Sequence, residues 1–299
     1  MKTTTKLRQL MGEPGIIVAP GAYDCLTARL VERAAFPAVY MTGAGTALTR
    51  LGKPDLGFAT LSEMAANAAA MASTVSVPLI ADADTGYGGA LNVYRTVREY
   101  EKAGVAALHI EDQVFPKRCG HLDGKQVVAI EEMMSKLRAA VEARTDDDFV
   151  LIARTDALAV TGLDDTLRRC QAYAEAGADV LFVEALRTRE EIERVVREVN
   201  VPLLYNFVEH GKSPLLPVAE LQRLGFKMVI FPGSIMLAVL PLVREILGEL
   251  KGRGTTEALL DRMTNVVELF ETMGLSEMLQ LDARVAGGAT ATRPAGTRS

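Results

Sequence analysis

The chain has 299 residues, 49% hydrophobic and 24% charged, with 33 Lys and Arg against 38 Asp and Glu for a formal net charge of −5. That length suits one large α/β barrel or two average domains, and it buries enough surface to need no disulfide or structural metal. The acidic balance excludes non-specific nucleic-acid or acidic-membrane binding, which need a basic stripe, and no window approaches the roughly 18 uninterrupted apolar residues of a membrane span.

The first fifteen residues are basic in part but lack an apolar stretch followed by a small-residue cleavage site, so no secretory signal is expected. In chain order, the repeating unit is a short apolar run followed by an amphipathic segment of about a dozen residues. Strands are predicted at 16–19, 38–42, 78–84, 107–112, 149–156, 180–185, 202–207 and 227–233. They are nearly continuously apolar rather than alternating, the pattern of parallel strands covered on both faces. Helices are predicted over 61–73, 92–103, 130–143, 164–176, 189–199 and 217–224. Gly104, Gly177 and Gly225 stand just past helix ends, where a left-handed closing residue is wanted. Ser62, Asp164 and Thr188 offer side-chain oxygens to the first amides of the helices they precede. Eight strand–helix units close naturally into an α/β fold, a (β/α)8 TIM barrel forming one domain over residues 1–286.

After the eighth strand come helical stretches at 234–250, 257–273 and 275–286, more helix than a barrel requires. Their apolar surface must pack against the barrel end or another subunit, so an oligomer is expected. Residues 287–299, rich in Ala, Gly, Thr and Arg without periodicity, read as a flexible tail. Cys25, Cys119 and Cys170 are widely spaced and form neither a disulfide framework nor a zinc knuckle, which points to a reducing, cytoplasmic setting.

In such a barrel the chemistry sits at the C-terminal strand ends. Strand three ends in Asp82 and Asp84, strand four in Glu111, and strand six in Glu184. Asp82 and Asp84 are two apart and so point the same way along a pleat. Converging carboxylates repel unless a cation joins them, and an oxygen-only set selects Mg2+ or Mn2+. Each acid alone reads equally well as a helix cap or salt-bridge partner; Asp82, Asp84 and Glu111 together favour the metal. Arg154, ending strand five, either pairs with these acids or clamps a carboxylate. Thr42-Gly43-Ala44-Gly45 offers bare amides to an oxyanion, but Leu48 occupies the third glycine position of a dinucleotide fingerprint. Gly86-Tyr87-Gly88-Gly89 reads as a flexible loop or a plain turn. In Lys117-Arg118-Cys119-Gly120-His121 a thiol lies between two cations and an imidazole, which predicts a depressed pKa and a proton donor or nucleophile. Cys25 and Cys170 fall in helix patterns and read as core fillers, and His210 as a loop residue.

The KRCGHL segment resembles the signature of the isocitrate lyase / phosphoenolpyruvate mutase superfamily, in its cysteine-bearing carbon–carbon lyase branch. The likeness extends in order through TGAG, LGKPDLG, ADADTGYG, HIEDQ, ARTDA, FVEA and YNF, nearly the whole chain. It implies a Mg2+-dependent barrel, usually a homotetramer with its last helices swapped between subunits. It also implies cleavage of a 2-hydroxy carboxylic acid into an α-keto acid and a second carboxylate. On this resemblance Asp82 and Asp84 hold the metal, directly or through water. Thr42, Gly43 and Ala44 match the binding stretch for the keto-acid carboxylate, and Gly120, Arg154, Glu184 and Asn206 match substrate contacts. Cys119 matches the catalytic acid, Tyr40 a base or oxyanion partner with Asp55 near its hydroxyl, and Glu111, Lys117 and His121 complete the catalytic set. Methylisocitrate lyases of this superfamily carry two arginines and a threonine where this chain has Leu237, Val266 and Val208. A third carboxylate would lose its partners there. A shorter, more apolar substrate such as 2,3-dimethylmalate is therefore expected, with 2-methylisocitrate as the alternative. Pro232 also resembles the lyases more than the oxaloacetate hydrolases. A phosphonate-forming mutase and a non-catalytic dicarboxylate-binding barrel are more distant readings, the latter disfavoured by the folding cost of so many mouth carboxylates.

Overall fold

Eight short strands, β1 (Ile17–Ala22), β2 (Val39–Met41), β3 (Leu79–Asp82), β4 (Ala107–Glu111), β5 (Val150–Thr155), β6 (Val180–Val183), β7 (Leu203–Asn206) and β8 (Met228–Phe231), pair in parallel and close into a barrel. The structure, a computed structural model, describes residues 1–288. Each predicted run holds one strand, trimmed by a residue or two at its ends except β1, which runs three residues further than expected. Register pairs such as Tyr40 with Ile80, Asp82 with His109 and Glu111 with Arg154 set the level of the site.

Continuous apolarity conceals an alternation. Ile17, Tyr40, Ile80, Ile152, Phe182, Leu204 and Ile230 fill the cylinder, while Val39, Met41, Leu79, Leu108, Leu151 and Leu181 face the surrounding helices. Burying each such side chain contributes about 1.5–3 kcal/mol, so both faces hold the strands in place. The helix Thr3–Gly12, which no sequence pattern predicts, sends the fully buried Leu7 into the interior cluster and plugs the N-terminal end of the barrel.

The main helices between strands are Cys25–Arg33, which lies outside the predicted spans, and Leu61–Thr74, Ala90–Lys102, Ile130–Ala143, Leu163–Glu175, Arg189–Glu198 and Val218–Leu224. Thr188 caps its helix as expected, in a reciprocal box with Glu191. The other two starts differ from expectation. Thr60, not Ser62, caps Leu61–Thr74, with Glu63 as its partner. Gly162 precedes Leu163–Glu175, so Asp164 lies inside the first turn, where its charge complements the helix dipole without capping. Gly225, at φ +110°, closes Val218–Leu224 in the left-handed region as predicted.

The chain divides into two compact units, residues 1–240 and the remainder from Pro241. Helix Ser234–Arg253 crosses that division. The single helix expected over 257–273 is split into a 3-10 turn, Glu257–Arg262, and a helix, Val266–Thr272, because Asn265 caps the latter by accepting from the Glu268 amide at 2.9 Å. Helix Leu275–Gly288 takes in the first two residues of the expected tail; the rest of that tail, 289–299, lies outside the described residues. Among the described residues no helix is long and apolar enough to cross a membrane.

Candidate active site

Alternation along the strands carries Asp82, Glu111, Arg154 and Asn206 to the inner face at the C-terminal mouth, with Glu184 one residue past β6. All five are more than nine-tenths buried. Arg154 ties them together. Its Nε lies 3.2 Å from Glu111 Oε2 and 2.9 Å from Asp156 Oδ2, and its Nη2 lies 3.4 Å from Glu184 Oε2. Its guanidinium carbon stands 5.0 Å from the Phe182 ring centroid, a cation–π contact that fixes the fork in a plane. Asn206 Nδ2 donates to Glu184 Oε2 at 3.1 Å, and His121 Nε2 lies 3.0 Å from Glu184 Oε1. Glu111, His121, Arg154, Glu184 and Asn206 thus meet as expected.

The two aspartates converge for a different reason from the one anticipated. β3 ends at Asp82, and Asp84 has φ +45°, so the pleat does not aim it. Instead the turn folds back: the Asp84 amide donates to Asp82 Oδ1 at 2.9 Å, and the Asp84 carbonyl accepts from the Glu111 amide at 2.8 Å. Lys117 Nζ lies 2.6 Å from Asp84 Oδ1 and 2.5 Å from Asp55 Oδ1. Asp55, expected beside the Tyr40 hydroxyl, therefore has Lys117 as its partner. Tyr40 Oη sits 2.8 Å from His109 Nε2, which is also 3.6 Å from Asp82 Oδ1. His109 was not anticipated as a site residue, because inside an apolar run it reads as one more buried strand position.

Burial dominates the electrostatics, and partners decide where it is overcome. Burial raises Asp82, Asp84 (to about 6) and Glu111 above the ordinary carboxylate range, against the pull of Lys117 and Arg154. Glu184 is equally buried, but Arg154, His121 and Lys125 outweigh the burial and hold it below that range. Burial, then Asp82, pushes the Tyr40 phenol well up, and burial with Arg154 nearby lowers His109 to about 3. A phenol kept neutral donates hydrogen bonds well and is a poor base, so this burial suits the oxyanion-partner role better than the base role.

The Cys119 segment is where the sequence-based expectation is overturned. Burial raises the thiol pKa, with Asp55 and Glu184 adding to it, while a hydrogen bond donated to the sulfur by the His121 backbone amide opposes. The flanking cations do not serve the sulfur. Lys117 turns to Asp55 and Asp84, and Arg118 Nη1 donates to the Asp123 carbonyl at 3.1 Å. Such a thiol is suited to holding a proton and donating it, not to acting as a standing thiolate nucleophile. Gly120 lies so close to Arg154 and Glu184 that a Cβ would overlap both side chains. At the end of β2, Thr42 Oγ1 accepts from the Gly45 amide at 3.2 Å, Gly43 leaves no room for a Cβ against the Asp82 carboxylate, and Ala44 is half-buried.

The remaining positions separate. Gly86–Gly89 is a turn in which Tyr87 Oη lies 3.1 Å from Tyr100 Oη, and Tyr100 donates to the Asp82 carbonyl at 2.7 Å, while Gly88 and Gly89 are exposed. Cys170 is buried as expected, but Cys25 is only half-buried at a helix start. His210 is an exposed loop residue. Val208 is half-buried just after β7, Leu237 is exposed near the start of Ser234–Arg253, and Val266 is exposed within the second unit. Asp112, Lys125 and Asp156, all buried beside the mouth, were not singled out from the sequence.

Among the described residues no three His, Cys, Asp or Glu side chains come together as a metal cage, so the expected trio is not a closed set; Glu111 is drawn to Arg154 instead. Mg2+ does not need one, since it keeps several waters and takes one or two carboxylates plus substrate oxygens. Asp82 and Asp84 supply two oxygen donors, and Glu111 Oε1, on the neighbouring strand, is a buried acceptor without a hydrogen-bond partner. That donor set fits the ion.

Residues 7–251 match the family described as phosphoenolpyruvate phosphomutase. The 2,3-dimethylmalate lyase of Eubacterium barkeri is 44% identical over 288 residues, 96% of this chain and 100% of its own. The 2-methylisocitrate lyase of Aeropyrum pernix is 45% identical over 280 residues, 93% of this chain and 90% of its own. Among solved structures, 2,3-dimethylmalate lyase in its trigonal crystal form has a TM-score of 0.91 at 43% identity, covering 100% of this chain and 99% of that one. Oxaloacetate acetylhydrolase in complex with 3,3-difluorooxalacetate also has a TM-score of 0.91 at 43% identity, covering 95% and 97%. With the ordered motifs, the barrel and matches of this length in agreement, the chain belongs to the phosphoenolpyruvate mutase / isocitrate lyase superfamily.

Proposed function

We propose that the protein is a Mg2+-dependent carbon–carbon lyase that splits 2,3-dimethylmalate, or a close alkylated malate, into pyruvate and a second carboxylate, propionate for 2,3-dimethylmalate itself. The observation that carries this reading is the meeting of the Cys119–Gly120–His121 segment with Arg154 and Glu184 over the mouth, which sets a protonated thiol beside a carboxylate clamp. Mg2+ at Asp82 and Asp84 would supply Lewis acidity toward the substrate's 2-oxygen and orient its neighbouring carboxylate. Arg154, its fork held by Asp156, Glu111 and Glu184, binds a substrate carboxylate, with Asn206 and the Thr42–Ala44 backbone as further contacts. The substrate's 2-hydroxyl gives its proton to Asp84, held at about 6 and so ionised at neutral pH, as C2–O becomes the carbonyl, and neutral Tyr40 donates a hydrogen bond to that oxygen. Breaking C2–C3 leaves a carbanion beside the second carboxylate, and Cys119 delivers its proton there while the loop keeps water out.

Aliphatic Val208 and Leu237 support the shorter substrate, since neither can partner a third carboxylate. Cleavage of 2-methylisocitrate is the second reading, favoured by the 45% identity to a lyase of that name. The protein acts as a cytoplasmic homotetramer whose C-terminal helices are exchanged between subunits. Support comes from helix Ser234–Arg253, which buries none of its residues, and from an apolar groove of about 460 Å3 on the barrel lined by Leu30, Phe36, Val218 and Ile235.

The test is a keto-acid assay with Mg2+ and, in turn, 2,3-dimethylmalate, 2-methylisocitrate and isocitrate. Pyruvate from dimethylmalate, abolished by EDTA and restored by Mg2+, is expected. No keto acid from any of the three would overturn the lyase reading, and a preference for methylisocitrate would select the alternative.

A further inference from the structure

The loop after β4 is tied at its base. Gln113 pairs with Val127, and the Val114 and Val128 amides donate at 2.9 Å to the Gln126 and Asp112 carbonyls. Between these ends lie Lys117, Cys119, Gly120 and His121. Lys125, at the returning end, turns its side chain back beneath them. Its Nζ donates to the Gly120 carbonyl at 2.5 Å and to Asp156 Oδ1 at 2.8 Å, and the residue is only 8% exposed.

Asp156 is wholly buried and already engaged. Arg154 Nη2 lies 3.2 Å from the same Oδ1, and Arg154 Nε lies 2.9 Å from Oδ2. One carboxylate oxygen is therefore shared by the loop's lysine and the guanidinium at the mouth. Asp156 is itself held from below, its amide donating to Asp112 Oδ1 at 2.9 Å. Asp112 Oδ2 in turn accepts from Thr155 Oγ1 at 2.7 Å and Tyr173 Oη at 2.8 Å. Burying an ammonium on a four-carbon stem costs desolvation and rotamer entropy. Arg154 is shared among Asp156, Glu111 and Glu184, so Lys125 brings Asp156 a second cation. It also adds what a charge alone would not, a tie between the Gly120 carbonyl and a fixed point of the barrel wall.

We propose that Lys125 is a positioning residue, a latch that holds the Cys119–Gly120–His121 segment over the mouth by joining the Gly120 carbonyl to Asp156, and that through the shared oxygen it couples loop closure to the orientation of Arg154. The catalytic meaning of closure rests on the lyase reading; the latch itself is a property of the free protein.

The experiment compares wild type with Lys125→Met, which keeps the stem and removes the donors, by the rate at which iodoacetamide alkylates Cys119 without substrate, followed by mass spectrometry of its peptide. Labelling is expected to speed up roughly tenfold or more, the scale of losing a charge-assisted hydrogen bond, while buried Cys170 stays protected. With a keto-acid-yielding substrate, kcat falls by at least about tenfold and KM moves by less than about threefold, the split of a group acting on closure. Lys125→Gln, which retains one donor toward the Gly120 carbonyl, recovers part of the protection and carries the same comparison if Lys125→Met does not fold. Wild-type labelling of Cys119 in a folded variant overturns the latch. An inactive wild type with the labelling difference intact overturns the lyase reading alone.

Discussion

Cys119 and the two glutamates nearest Arg154 show how environment assigns roles at this mouth. Glu184 receives Arg154, His121 and Asn206 and stays ionised, whereas Glu111 has the Arg154 contact on one oxygen and no hydrogen bond on the other and is pushed toward its protonated form. Cys119, with its pKa raised, is poised as an acid. Cys119→Ser should lower kcat for keto-acid release by about 10²–10⁴-fold, the usual size of a general-acid contribution, with the thermal midpoint near wild type; an almost unchanged rate would remove the thiol from the mechanism. The sign of the pH effect follows. The acid must hold its proton, so its contribution is present below the folded-state pKa and is lost as pH rises through that value, which lies above the ordinary thiol value of about 8.5. The 240-nm absorbance of wild type minus Cys119→Ser should accordingly show no thiolate at about pH 8. The KRCGH motif made this thiol legible in the sequence, but its charge state was not. Adjacency in the chain does not reveal that Lys117 and Arg118 turn to other partners.

At the scale of elements, the barrel was legible because two-sided burial leaves long apolar runs, and acidic strand ends marked the mouth. What stayed hidden depends on side-chain direction or on contacts distant in sequence. The alternation that aims Arg154 inward is masked by apolar neighbours on both faces. The Asp112–Asp156–Lys125 support joins β4, β5 and the loop, which no local window links. Helix Leu163–Glu175 gives a pH test away from the mouth. Burial would raise Asp165, but hydrogen bonds from Arg169 Nε at 2.8 Å and Thr161 Oγ1 at 2.6 Å, with Arg168 beside them, hold it at about 2. Its folded pKa lies below the ordinary 3.8, so its stabilisation is full above about pH 4 and is lost as pH falls through about 2. The gap in thermal midpoint between wild type and Asp165→Asn should therefore narrow over that interval in a circular-dichroism series. A constant gap would mean that the ion pairs contribute nothing. Thr188→Ala, which breaks a reciprocal capping box, should cost about 1 kcal/mol in urea unfolding.

At the scale of the whole molecule, the second unit carries many exposed apolar side chains. Leu242, Leu247, Leu250, Phe270, Leu279 and Leu281 are 36–60% exposed. Covering the exposed half of each is worth roughly 1 kcal/mol, so about 6 kcal/mol per copy and about 12 for a symmetric pair. Association costs roughly 4–15 kcal/mol in lost freedom, so these six residues by themselves about break even. Val266, Val267, Leu269, Met273, Met278 and Val285, exposed in the same unit, add to the apolar area that an assembly would cover. Light scattering after size exclusion should give a mass near four times the 32.2 kDa chain. Leu247→Lys with Phe270→Lys places two charges per chain on that surface, and the desolvation of four charges across each pair exceeds the gain from the remaining apolar contacts. The double variant should shift to a smaller species while its far-ultraviolet circular dichroism stays that of the wild type, because neither side chain is buried in its own chain. A wild type of 32.2 kDa, or a double variant of unchanged mass, would place the partner of these helices somewhere other than a second copy.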